Sequence, residues 1–241
     1  MRSRVFVTGV TLLALTIAAA CGDEPKRLVG SDVTILAQAA PNSTQSVQLQ
    51  GVERGEGTVG VVLAHMLGSS QSAWSPLIDQ LVREDFRVLT FDFRGHGLSG
   101  GDRNPSAAAL DLTAAVEKLR SVGATKVFVV GASMGGTAAI VVASGQKLEG
   151  VVTISAPLEI DQLDAREAVK ALDEPSLFMV AADDDDRYTD AARTFAASAP
   201  REKRLQIITG TGAHGTDLLA DEKTRQRVID LIIDFLKINR G

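Results

Sequence analysis

Cysteine is all but missing from this 241-residue chain: Cys21 stands alone, so no disulfide within the chain can staple the fold. Histidine is scarce too, with three residues. They are scattered, so a closed zinc site lacks enough ligands in one place, and no cofactor is implied. A basic surplus is also absent. The formal net charge is −5, which argues against nucleic acid and anionic lipid as partners, because both attract basic surfaces. No internal repeat is visible. What remains is a hydrophobic fraction of 45% and a charged fraction of 23%, ordinary values for one domain with one sizeable core.

The first residues read as a targeting segment. Arg2 and Arg4 precede an uncharged, largely apolar run from Val5 to Ala20. Small residues Ala18-Ala19-Ala20 then meet Cys21 and the polar Gly22-Asp23-Glu24. That order describes a secretory signal; a retained span wants about 20 apolar residues. The stretch before Cys21 resembles the lipobox of bacterial lipoproteins, although Ala18 stands where Leu is usual. The resemblance implies cleavage before Cys21, lipidation there, and an exported protein anchored to the bacterial cell membrane. Simple secretion is the alternative. Residues 1–20 are thus assigned to the signal, 21–45 to a polar tether with Pro25 and Pro41, and 46–241 to the folded domain.

Within that domain, Val47–Gln50 alternates apolar and polar, as a half-exposed strand does. Short apolar runs follow at 59–64, 87–91, 126–130, 151–155, 176–182 and 205–208. Each is long enough for a strand buried on both faces. Helical patterns separate them at 75–84, 106–122, 135–144, 189–199 and 221–238, with a further short helix expected at 163–172. Strands alternating with helices predict an α/β fold, a doubly wound and mostly parallel sheet. Reaction sites in such sheets lie beyond the carboxyl ends of the strands. Only 157–175 separates two core strands at the point where an inserted cap can sit, so no cap or a minimal one is expected.

Gly131-Ala132-Ser133-Met134-Gly135 forms a G-x-S-x-G motif between a predicted strand and a predicted helix. A sharp strand-to-helix turn presents the serine hydroxyl, and its flanks must be small. The helix amino end turns unpaired N–H groups toward developing negative charge. A serine hydroxyl is a poor nucleophile and needs an adjacent base, for which histidine is suited. His65, His96 and His214 are the candidates.

With this motif the chain resembles the α/β-hydrolase family over about residues 47–238. His65-Met66-Leu67-Gly68-Ser69-Ser70 looks like the family's oxyanion loop, with Met66 replacing the usual glycine. Asp92-Phe93-Arg94-Gly95-His96-Gly97-Leu98-Ser99 looks like its turn after the next strand, and Gly212-Ala213-His214-Gly215 like its catalytic-histidine loop. The family's chain order of Ser, acid, His implies Ser133 as nucleophile and His214 as base. His65, His96 and Arg94 are then read as structural groups in tight turns. The acid is expected after 176–182, among Asp183 to Asp186. Asp185 is preferred and Asp184 is the alternative; a calcium site there is a third reading, without EF-hand spacing. The resemblance implies backbone N–H groups as oxyanion donors, one from Met134 and the other from Leu67, with Met66 as the alternative. Trp74 is read as packing the following helix on the sheet.

These readings predict a serine hydrolase acting on small or extended carboxylic esters through an acyl-enzyme. A peptidase or acyltransferase with the same triad stays open, as does a catalytically silent surface binding protein.

Overall fold

The computed structural model describes residues 28–172, 176–200 and 202–241. The strands are β1 (Ser31–Gln38), β2 (Ser46–Arg54), β3 (Val59–Ala64), β4 (Arg87–Phe91), β5 (Lys126–Ala132), β6 (Gly150–Ile154), β7 (Glu159–Ile160), β8 (Leu163–Asp164), β9 (Ser176–Ala182) and β10 (Lys203–Ile208). The helices are α1 (Ser75–Arg83), α2 (Ala108–Ser121), α3 (Met134–Gly145), α4 (Asp186–Ser198), α5 (Asp217–Ala220) and α6 (Arg225–Asn239).

Eight strands form one sheet in the order β1-β2-β4-β3-β5-β6-β9-β10. From β4 to β10 every neighbour pair is parallel; β1 and β2 are antiparallel additions at one edge. The predicted α/β sheet is therefore present. Parallel strands need both faces covered, which explains their unbroken apolar runs. On β5, Val127 and Val129 enter one core with α2 and α3, while Phe128, Val130 and Ala132 enter the other with α1, α5 and α6. Helix α3 is buried around most of its circumference, as its nearly all-apolar sequence requires. Trp74 is fully buried in the second core beside Leu77 and Leu81 of α1, in keeping with its reading as a packing residue.

Three expectations need correction. The tether assigned to 21–45 is not a tether over its later part, because β1 lies within it. Val33, Ile35 and Ala37 alternate with more exposed residues, and Ile35 and Ala37 are buried in the core. The folded domain therefore begins before residue 46. Helix 163–172 does not form. Its place is taken by the β7–β8 hairpin and a 3-10 turn at Ala168–Ala171. Asp164 competes locally, its carboxylate accepting the Arg166 N–H at 2.8 Å. The closing helix starts later than residue 221: the Thr224 hydroxyl donates to the Leu218 carbonyl at 2.7 Å and α5 forms separately. The signal, Cys21 and the start of the tether lie outside the described residues.

Candidate active site

β5 ends at Ala132 and α3 begins at Met134, leaving a single residue for the reversal. That residue is Ser133, at φ 47° and ψ −114°. A non-glycine residue in such a conformation carries strain of about 1–3 kcal/mol and persists only where its surroundings fix it. Here they do. The Ser133 N–H donates to the Ile154 carbonyl at 2.8 Å, and the Ser133 carbonyl accepts from Gly136 and Thr137 at 2.9 and 3.0 Å. The motif glycines are demanded by space. A Cβ at Gly131 would lie 2.3 Å from the Gly135 oxygen, and one at Gly135 would lie 2.2 Å from the Ala64 oxygen. The second contact seats the start of α3 directly against the end of β3. It therefore brings Met134 beside the segment leading to Met66 and Leu67.

The loop after β3 is tied to the loop after β4 by two buried histidines. His65 Nδ1–H donates to the Met66 carbonyl (2.8 Å), and its Nε2 accepts from the Phe93 N–H at 3.0 Å. His96 repeats the pattern, with Nδ1 on the Arg94 carbonyl (2.9 Å) and Nε2 accepting from the Gly68 N–H at 3.3 Å. Burial pushes the His65 pKa down to about 3, against a smaller opposing effect of the Met66 bond. Asp92 adds to the clamp by accepting from the Gln71 N–H and side-chain amide and from the Leu98 N–H. Arg94 is the anchor expected of it. It pairs with buried Asp111 at 2.6 Å and also donates to the Gln38 and Ala39 carbonyls at the end of β1.

His214 follows β10. Its Nδ1 lies 2.8 Å from Asp185 Oδ2, so the structure pairs it with Asp185. Asp184 is exposed, and its N–H donates to the Thr211 carbonyl. Asp183 accepts from the Gly210 and Thr211 N–H groups, and these bonds, Gly210 first, lower its pKa. Asp183 thereby fastens the histidine loop to the acid loop. The third reading of the acidic run, a calcium site, gains nothing here: two of its carboxylates are engaged by these partners. Among the described residues no group of three or more His, Cys, Asp or Glu is arranged to hold a metal ion.

The loop that carries His214 also approaches the Ser133 turn. A Cβ on Gly215 would stand 3.6 Å from the Ala132 Cβ and 2.8 Å from Met66 Sδ. No hydrogen bond joins Ser133 to His214 among the described residues; catalytic bonds of this kind are often long before substrate binds and then tighten. The ring of Tyr188 sits against His214, centroids 4.1 Å apart and planes at 51°. Sequence reasoning missed this contact because it started the helix at Thr189. Helical spacing from Asp185 was the available signal, since Tyr188 lies three residues on.

A model of the Alpha/beta hydrolase family matches residues 61–231. The chain belongs to the α/β-hydrolase family. The 3-oxoadipate enol-lactonase 1 of Acinetobacter baylyi is 32% identical over 97 residues, 40% of this chain and 35% of that protein. The stretches shared with this and two other curated relatives span 20% to 35% of their lengths. Among solved structures, an esterase of Pyrococcus furiosus superposes with a TM-score of 0.73 at 20% identity, over 93% of this chain and 100% of that one. A thermophilic esterase from Thermogutta terrifontis gives 0.71 at 17% identity, over 88% and 100%. At such identities these likenesses establish the α/β-hydrolase fold.

Proposed function

We propose that this α/β-hydrolase cleaves carboxylic esters through an acyl-enzyme on Ser133. The observation that carries the reading is the strained Ser133 turn with the Asp185–His214 pair on a loop whose Gly215, next to His214, approaches Ala132 beside Ser133. Ser133 Oγ attacks the acyl carbon while His214 Nε2 takes its proton. The tetrahedral oxyanion is held by N–H groups of Met134 and Leu67, each such donor lowering the barrier by roughly 3 kcal/mol. His214 returns the proton to the leaving alcohol, and water then resolves the acyl-enzyme by the same route. Asp185 holds the imidazole tautomer and stabilises its cation. Names of relatives fit this chemistry, an enol-lactonase and two esterases among them.

The test is labelling of the full chain by a fluorophosphonate, alongside release of p-nitrophenol from short- and long-chain esters. Ser133→Ala should abolish both. Turnover of an anilide at a comparable rate would replace the esterase reading with a peptidase one, and folded wild-type protein that neither labels nor hydrolyses would sink the enzyme reading.

We further propose export and lipid anchoring at Cys21, supported by Arg2, Arg4, the apolar run 5–20 and the small residues before Cys21. β1 starts at Ser31, paired with Glu53, at the sheet end opposite the carboxyl ends of the parallel strands. Incorporation of radiolabelled palmitate, lost in Cys21→Ala, tests the anchoring.

A further inference from the structure

We propose that Tyr188 is a positioning residue for the His214 imidazole, its ring holding the base in place and favouring the cation formed during proton transfer; this rests on the reading of His214 as base. Tyr188 is the chain's single tyrosine. It is half-buried, on the first turn of α4, and its N–H donates to the Asp185 carbonyl at 2.9 Å. The acid and the ring are therefore fixed to one another by backbone. Both act on the same imidazole, Asp185 through Nδ1 at 2.8 Å and Tyr188 through its ring at 4.1 Å.

A hydrogen bond to one ring nitrogen leaves the imidazole free to swing about that bond. Ring-on-ring contact removes this freedom, which matters because small misplacements of a catalytic group are expensive in rate. An aromatic ring also attracts a cation placed beside it. The charged groups around the pair are Asp185 itself, Asp183 in the preceding loop, exposed Asp184 and Asp186, and Asp217, whose N–H donates to the His214 carbonyl. The Arg187 guanidinium lies 5.7 Å from the Tyr188 centroid. Uncharged Met66 and Ala132 lie beside Gly215, the residue after His214. The acidic surroundings supply attraction at longer range; Tyr188 supplies the contact.

The experiment is kcat and KM for a p-nitrophenyl ester across pH with the full chain and Tyr188→Phe, Tyr188→Leu and Tyr188→Ala. Thermal melting establishes that each variant is folded. Tyr188→Phe should stay within about twofold of wild type. Tyr188→Leu and Tyr188→Ala should lose about tenfold in kcat with little change in KM, a barrier change of about 1.4 kcal/mol. A Leu variant with the wild-type profile, or a Phe variant as impaired as Ala, overturns the proposal. Fluorophosphonate labelling separates the two levels: wild type not labelled at Ser133 sinks the triad reading itself, whereas labelled wild type with unmoved Tyr188 variants sinks only this one.

Discussion

His65 and His214 sit at the same end of one sheet, in opposite circumstances. His65 is fully buried and uses both ring nitrogens on backbone groups, Met66 and Phe93. His96 does the same with Arg94 and Gly68. Such an imidazole is a neutral cross-brace. His214 has a side chain 29% exposed and gives one nitrogen to a carboxylate, which leaves Nε2 for reacting groups. The same residue type becomes a brace, or keeps a nitrogen for the base role proposed for His214, according to what its second nitrogen meets. Depth reinforces the difference, since burial away from a counter-charge suppresses the cation that a base must form.

Substitution separates the two kinds most sharply in turnover. His214→Gln should lower kcat by about 10⁴-fold or more. His96→Gln should lower it at most about tenfold while removing about 1–3 kcal/mol of stability, because the Gly68 and Arg94 groups lose their partner. Steady-state kinetics with urea unfolding checks both, and equal losses in kcat would erase the comparison.

The acid loop offers the next contrast. Asp185→Asn should cost about 10³–10⁴-fold in kcat, whereas Asp184→Asn, at an exposed position, should stay within about twofold. On the bracing side, Arg94→Met leaves the Asp111 carboxylate buried without its partner. A loss of about 3–5 kcal/mol is expected in urea unfolding, recovered only in part in the Arg94→Met/Asp111→Leu double variant, which removes the unpaired charge but restores no partner to the Gln38 and Ala39 carbonyls.

The smallest effect is in acid sensitivity. The folded state holds the His65 pKa near 3 against an ordinary value of 6.5, so on acidification the unfolded chain takes up the proton first. This contribution to stability is present above about pH 6.5 and is lost as pH falls from there toward 3. Between pH 7.5 and 5 it amounts to about 2 kcal/mol. His65→Gln should flatten the pH dependence of unfolding by about that much, although it lowers stability overall. An unchanged slope would show that His65 is not held neutral.

Much of this was legible because it is written locally. Runs such as Val59–Ala64 are apolar at every position, and only a strand covered on both faces suits them. The Ser133 turn announced itself through glycines that the close approach of Gly135 to Ala64 makes compulsory. β1 was overlooked for the converse reason. Its alternation at Val33, Ile35 and Ala37 is short and is interrupted by Leu36, and beyond its ladder with β2 its end is tied down by Arg94, more than fifty positions away. The 163–172 stretch misled because apolar spacing there suits a helix, while Asp164 and Arg166 offered the backbone a competing turn.

By itself the sequence determined the sheet, the Ser133 turn and the small set of histidines and aspartates that could stand near it, since these depend on periodicity and on sterics between near neighbours. Tertiary structure alone placed Asp185 rather than Asp184 against His214, made two histidines into braces, and set Tyr188 against the third. Those outcomes depend on which groups meet across 20 to 60 residues of chain, where loop closure rather than local preference fixes the geometry.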